Sequence, residues 1–152
     1  MILKKLNKFF FLFLIIFYLH EIEIIIEMFE NINESYENYL KAIYLISKQK
    51  KGGWVSNSEI SGFLNIKPSS VTNMLYKLRV LKLVNWEPRK SLRLTSKGKL
   101  IAQQTIENYN CLRKFFVKFL KLKDDPRLKQ MCCEIEHHIT PEVTEALKYL
   151  NF

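Results

Sequence analysis

From residue 35 onward, apolar side chains return at Tyr36, Tyr39, Leu40, Ile43, Tyr44 and Ile46, the three-to-four-residue beat of an amphipathic helix. This pattern predicts a helix with Ser35 as its N-cap running to about Lys48, where Lys50, Lys51, Gly52 and Gly53 break the chain. Trp54 and Val55 follow as a brief extended stretch able to pair with a later strand. Ser56 then opens a second helix to Leu64, with Glu59 three residues on to complete a capping box and Ile60, Phe63 and Leu64 as the apolar stripe. Asn65, Ile66 and Lys67 make a three-residue turn. Pro68 suits the first position of a third helix, because an N–H there has no partner within the helix anyway. Val71, Leu75, Leu78 and Leu81 form the apolar stripe of that helix.

Two short helices joined by a three-residue turn have the spacing of a helix-turn-helix. The opposite face of the third helix carries Ser69, Ser70, Thr72, Asn73 and Lys77. Small hydroxyl and amide side chains of this kind allow close approach to base edges, while a helix N-terminus beside Lys67 suits phosphates. An ordinary solvated helix would look similar, and the following segment separates the two readings. Leu83–Trp86 and Leu92–Leu94 alternate as strands, and the tip between them, Glu87 to Ser91, carries Arg89 and Lys90. That is a wing placed to lay two cations on a nucleic-acid backbone or in a minor groove. Ser69, Ser70 and Asn73 are the base-facing candidates, and Lys67, Lys77, Arg89 and Lys90 the phosphate-facing ones.

The charge distribution strengthens this reading. The chain has a formal net charge of +9, which suits a polyanionic partner, nucleic acid or an anionic membrane surface. From Ser35 to Lys97 there are 12 basic residues against Glu37, Glu59 and Glu87, a local net of +9, while residues 1–34 carry −2 and residues 98–152 carry +2. The excess therefore lies entirely in the winged segment, as for a phosphate-contacting module joined to a more neutral one.

Beyond the wing, Thr95 caps a long helix predicted to reach about Leu120. Its apolar positions Ile101, Ile106, Leu112, Phe115, Phe116, Phe119 and Leu120 exceed what one small domain covers, which points to a second copy of the chain, the alternative being a plain core helix. After Asp124-Asp125-Pro126 a further helix carries Cys133, Glu136 and His137. Spacings of i, i+3 and i+4 place thiolate, carboxylate and imidazole on one helical face. These donors suit Fe(II), Mn(II) or Zn(II), the thiolate shifting preference away from manganese, and the competing reading is a structural role. His138 points elsewhere, as a packing or capping residue. Thr140-Pro141-Glu142 opens a last helix with Val143, Ala146, Leu147 and Leu150 predicted inward.

Three cysteines, Cys111, Cys132 and Cys133, form neither a disulfide framework nor a CxxC pair, in keeping with a reducing cytoplasm. No glycine-rich phosphate loop or paired-carboxylate site appears, and a nucleophilic cysteine would need an enclosed pocket and an orienting group, so an enzyme is not expected. Residues 1–34 are read as an extension outside the domain pattern. Phe9 to Leu19 is apolar, but it is shorter than a membrane span and is followed by His20, Glu21 and Glu23. Three readings stand: an anchor through residues 9–26, an amphipathic or unstructured extension, or spurious upstream sequence with translation starting at Met28. The third is preferred.

Ser35-Tyr36-Glu37-Asn38-Tyr39-Leu40-Lys41-Ala42-Ile43-Tyr44, Pro68-Ser69-Ser70-Val71-Thr72, Leu94-Thr95-Ser96-Lys97-Gly98 and Glu136-His137-His138 after Cys133 together resemble the diphtheria-toxin-repressor and manganese-transport-regulator family, from about Glu34 to the C-terminus. The resemblance implies a mainly α fold: a winged helix-turn-helix at 35–97, then an all-helical dimerisation and metal-binding domain at 98–152, without the SH3-like third domain of longer members. It implies a homodimeric repressor, dependent on Fe(II) or Mn(II), that binds a palindromic operator of metal-uptake genes. Cys133, Glu136 and His137 match the primary metal ligands, with Asn38 as a weaker fourth donor. Lys41, Tyr109, Arg113 and Lys129 stand where relatives carry ligands of a second ion, so one ion per subunit is expected, with Zn(II) also binding in vitro. Two alternatives remain open, a constitutive DNA-binding regulator with a degenerate metal site and a membrane-attached variant through residues 9–26.

Overall fold

The computed structural model describes residues 32–150. The N-terminal extension with its Met28 start and 9–26 anchor readings lies almost wholly outside the described residues. From Glu34 onward the chain forms one compact unit. Its elements are α1 (Glu34–Lys48), α2 (Asn57–Leu64), α3 (Pro68–Val80), β1 (Val84–Asn85), β2 (Arg93–Leu94), α4 (Ser96–Lys114), a π-helical turn (Phe115–Phe119), α5 (Pro126–Ile135) and α6 (Pro141–Tyr149). The fold is thus mainly helical, a winged helix-turn-helix followed by a helical domain. No helix among the described residues is long and apolar enough to cross a membrane.

Local chemistry accounts for most boundaries. The Ser56 hydroxyl accepts from the Glu59 N–H at 3.3 Å while the Glu59 carboxylate accepts from the Ser56 N–H at 2.8 Å, the reciprocal capping box. Lys50 and Ser56 hold the Glu59 carboxyl down to about 2. Asn65 ends α2 in the left-handed region at φ 53°, which asparagine tolerates. Pro68 occupies the first turn of α3, and Thr95 caps α4 by accepting from the Gly98 N–H at 3.1 Å. One boundary differs from expectation: α1 begins at Glu34, which puts Ser35 inside its first turn.

The wing pairs Val84 with Leu94 and Asn85 with Arg93, antiparallel, and Val55 bridges to Leu92 as a third short edge. Leu40, Ile43, Ile60, Val71, Leu75 and Leu83 are completely buried where α1, α2, α3 and the wing meet. Gly98 locks the wing to α4, because a Cβ there would lie 2.1 Å from the Leu83 carbonyl oxygen. A second cluster joins Leu112 of α4 to Leu128 and Cys132 of α5, with Tyr109, Phe116 and Leu147 against it.

The apolar surplus of the long helix is smaller than its pattern suggests. Ile101 and Leu112 are buried within the chain itself, whereas Phe119 and Leu120 beyond them are exposed. Phe115 stacks on Phe119 and meets Phe116 edge-on. The last helix is also rotated from its predicted phase. Thr144 is its buried residue, while Val143 and Leu150 face outward. The cause is polar: the Thr144 hydroxyl donates to Asn108 Oδ1 at 2.7 Å, so the helix turns a hydroxyl inward rather than an apolar stripe.

Candidate functional site

Two sets of residues carry chemistry, one at the surface of the winged half and one buried against α1. Ser69, Ser70, Asn73 and Lys77 are exposed on α3, as is Lys67 at its N-cap. Thr72 is committed internally. Its hydroxyl donates to the Pro68 carbonyl at 3.0 Å and accepts from Asn57 Nδ2 at 2.7 Å, so it links α2 to α3 while staying half-buried. The pattern gives no sign of Asn57, because nothing local marks a pair 15 residues apart. Asn57 Oδ1 is buried without a partner.

Between these helices and the wing lies an open groove of about 920 Å³, whose lining includes Ser56, Thr72, Tyr76, Trp86, Arg89 and Lys90. Tyr76 and Trp86 meet edge-to-face with ring centroids 5.0 Å apart and set its floor. At the tip Arg89 adopts φ 64° and the Lys90 N–H donates to the Glu87 carbonyl at 3.1 Å, a tight turn. Lys90 also pairs with Glu87 at 2.5 Å, both side chains largely in solvent, which halves the free charge of the wing tip. Arg93 lies over the Trp54 ring at 4.7 Å and donates to the Gly52 carbonyl, a wing cation that the strand pattern does not single out.

The second set sits where α5 ends. The expected single helical face holds only in part: α5 stops at Ile135, Glu136 is its C-cap, and His137 lies in the turn beyond. The Glu136 backbone is pinned by Asn108, whose amide donates to the Glu136 carbonyl at 2.9 Å while Gln104 and Thr144 donate to Asn108 Oδ1 at 2.8 and 2.7 Å. The α1 residues that meet this turn are Glu37 and Lys41, one helical turn apart. Glu37 takes a hydrogen bond with His137 Nδ1. Lys41 Nζ donates to Glu136 Oε1 at 2.6 Å, lies 4.0 Å from Cys133 Sγ and sits 4.9 Å from the centre of the Tyr109 ring. No hydrogen bond joins Asn38 to Cys133, Glu136 or His137.

Glu136 is fully buried, which pushes its carboxyl up, while Lys41 opposes the shift. Burial likewise raises the Cys133 thiol against the pull of Lys41. His137 Nε2 lies 3.5 Å from Glu136 Oε1. Two buried atoms, His137 Nε2 and Glu136 Oε2, have no hydrogen-bond partner. A carboxylate holding one imidazole nitrogen while the other is left free is the arrangement that orients a histidine toward a metal. The donor chemistry therefore fits a divalent cation on Glu136 and His137, with the Cys133 thiolate completing it. Among the described residues no three His, Cys, Asp or Glu side chains form a ready cage as they stand, and the Lys41 ammonium lies between Glu136 and Cys133.

The other residues at second-ion positions are accounted for individually. Arg113 is tied by its Nε to Asp124 Oδ1 at 3.0 Å with its Nη2 on the other oxygen, Lys129 is exposed, and Tyr109 packs its ring against Lys41.

Comparison with known proteins places this architecture. The iron-dependent repressor N-terminal DNA-binding domain matches residues 31–92, and the iron-dependent repressor metal-binding and dimerisation domain matches residues 95–151. The chain belongs to the iron-dependent repressor family. Members are transcriptional regulators rather than enzymes. An uncharacterised HTH-type transcriptional regulator of Methanocaldococcus jannaschii is 38% identical over 116 residues, covering 76% of this chain and 91% of that protein. Among solved structures, the manganese regulator SloR is 27% identical with a TM-score of 0.61, over 76% of this chain and 53% of its own. IdeR of T. acidophilum is 25% identical with a TM-score of 0.59, over 73% and 51%. The chain thus spans about half the length of these two regulators.

Proposed function

We propose that the chain is a metal-responsive, homodimeric DNA-binding repressor whose output is the α3 face and wing and whose sensor is Cys133, Glu136 and His137. The observation that carries this reading is the pair of buried atoms without a hydrogen-bond partner, Glu136 Oε2 and His137 Nε2, on side chains whose other polar atoms meet α1 of the DNA-binding half. Leaving two such groups unsatisfied costs folding free energy of about 1–3 kcal/mol each, which a ligand would recover. One ion per subunit is proposed, Fe(II) or Mn(II), with Cys133, Glu136 and His137 as its ligands. Asn38, half-buried on α1, is proposed as a weaker fourth donor.

A bound divalent ion would supply positive charge to a buried carboxylate and a thiolate. The chain's own residues do the rest. Glu37 orients the His137 ring, Asn108 holds the Glu136 backbone, and α1 carries any shift at this turn into the winged half. Exposed Phe119, Leu120, Val143 and Leu150 support a second copy as the dimer partner, and a two-fold dimer would read a palindromic operator. Metal-uptake genes are the proposed targets.

Metal analysis of anaerobically purified chain tests the sensor. About one divalent ion per chain is expected, falling to a small fraction in Cys133→Ala and His137→Ala. Full occupancy in both variants would reject this ligand set.

A further inference from the structure

The Lys41 ammonium stands in the middle of the proposed sensor and is held from three sides. It donates to Glu136 Oε1 at 2.6 Å, lies 4.0 Å from the Cys133 sulfur, and rests over the Tyr109 ring at 4.9 Å. Glu136 is fully buried, so its carboxylate needs a cation beside it, and Lys41 supplies one. The same oxygen lies 3.5 Å from His137 Nε2. A divalent ion reaching the unpartnered Glu136 Oε2 and His137 Nε2 would thus stand beside the ammonium held on the other oxygen of the same carboxylate, where two cations repel strongly because little water screens them. The lysine has a way out and the glutamate does not. Lys41 keeps 18% of its side chain in solvent and a flexible four-carbon stem, whereas Glu136 keeps none and its carbonyl is pinned by Asn108.

We propose that Lys41 is a resident counter-cation, seated on Glu136 in the metal-free chain and exchanged there for a divalent cation. This rests on the reading of Cys133, Glu136 and His137 as the metal site. Exchange makes binding net of an ion pair already present, so Lys41 sets the metal concentration at which the site fills. It also distinguishes the two ties between α1 and the sensor turn. The Glu37–His137 tie uses Nδ1, a nitrogen separate from the orphaned Nε2, and survives binding. The Lys41–Glu136 tie is the one surrendered, so metal changes how α1 is held without releasing it.

The test uses the full chain under anaerobic conditions, with Mn(II) and Co(II) as probes in chelator competition, on wild type, Lys41→Met, Lys41→Arg and the exposed control Lys48→Met. Lys41→Met keeps the stem and removes the competitor, so both probes should bind at least about tenfold tighter, while Lys41→Arg and Lys48→Met stay within about threefold of wild type. Binding by wild type and Lys41→Met within about twofold of each other overturns the exchange and leaves the metal site standing. If neither binds either probe, the metal site itself fails and the exchange falls with it. Because Lys41→Met strands a buried carboxylate, a second measurement needs only the wild type. Amine acetylation read by mass spectrometry should label Lys41 several-fold faster in saturating Mn(II) than in chelator. Equal or slower labelling in Mn(II) would overturn the proposal.

Discussion

The α3 face and the α5 turn hold comparable numbers of polar side chains and use them in opposite ways. On α3, Ser69, Ser70, Asn73 and Lys77 stand in solvent and are left for something outside the chain. At the α5 turn the charges are consumed inside it: Lys41 on Glu136, Glu37 on His137, Asn108 on the Glu136 carbonyl. A surface that reads a partner keeps its groups unspent, while the α5 turn spends most of its own within the chain and leaves Glu136 Oε2 and His137 Nε2 without a hydrogen-bond partner. Substitutions should divide along the same line, with the buried set costing stability and the exposed set costing only recognition.

The largest effect is expected from Glu136→Ala, which leaves Lys41 partly buried without its partner. Urea unfolding should show a loss of about 3 kcal/mol, whereas Ser69→Ala and Ser70→Ala should stay within about 0.5 kcal/mol of wild type. Equal stability losses in the two regions would erase the distinction. Next is Gly98→Ala, at the joint between them. A Cβ 2.1 Å from the Leu83 carbonyl forces the wing off α4, with an expected loss of about 2 kcal/mol in the same assay. On the exposed side, Asn73→Ala should weaken binding to duplexes selected by the chain by about 1–2 kcal/mol and relax preference at one position, with stability unchanged. Arg89→Ala should instead weaken all sequences alike and lower the salt slope by about 1. A sequence-specific loss at Arg89 would assign the wing tip to bases.

The smallest effect concerns the Glu59 cap. Its carboxyl lies near 2 when folded against an ordinary 4.5, so its contribution is fully present above 4.5 and is lost as pH falls through about 2. Wild type should exceed Glu59→Gln in stability by no more than about 1 kcal/mol at neutral pH, the group being partly solvated. The gap should close over that acid window, and a gap that widened there would contradict the assignment.

The winged half was largely legible in the chain because its determinants are local. Ser56 and Glu59 lie three residues apart, Pro68 suits the first turn of a helix by its own chemistry, and the Arg89–Lys90 tip sits between two short alternating runs. The proposed trio Cys133, Glu136 and His137 could be picked out locally for the same reason, although α5 ends at Ile135 and leaves His137 in the turn beyond. What surrounds the trio could not. Lys41 meets Glu136 across 95 residues and Glu37 meets His137 across 100, and spacing along one helix carries no information about either pair. The phase of α6 departs from its hydropathy pattern because Thr144 follows a hydroxyl–amide bond to Asn108, which hydropathy alone does not register.

In the proposed mechanism the buried turn controls the exposed face. Fluorescence anisotropy of the full chain against a duplex it selects from a random library, in Mn(II) and then in excess chelator, tests this most directly. Affinity should fall at least about tenfold when Mn(II) is withdrawn, and Cys133→Ala should bind at the lower level in both conditions. Equal affinity with and without Mn(II) and with Fe(II) would contradict it, and would make the chain a constitutive DNA-binding protein.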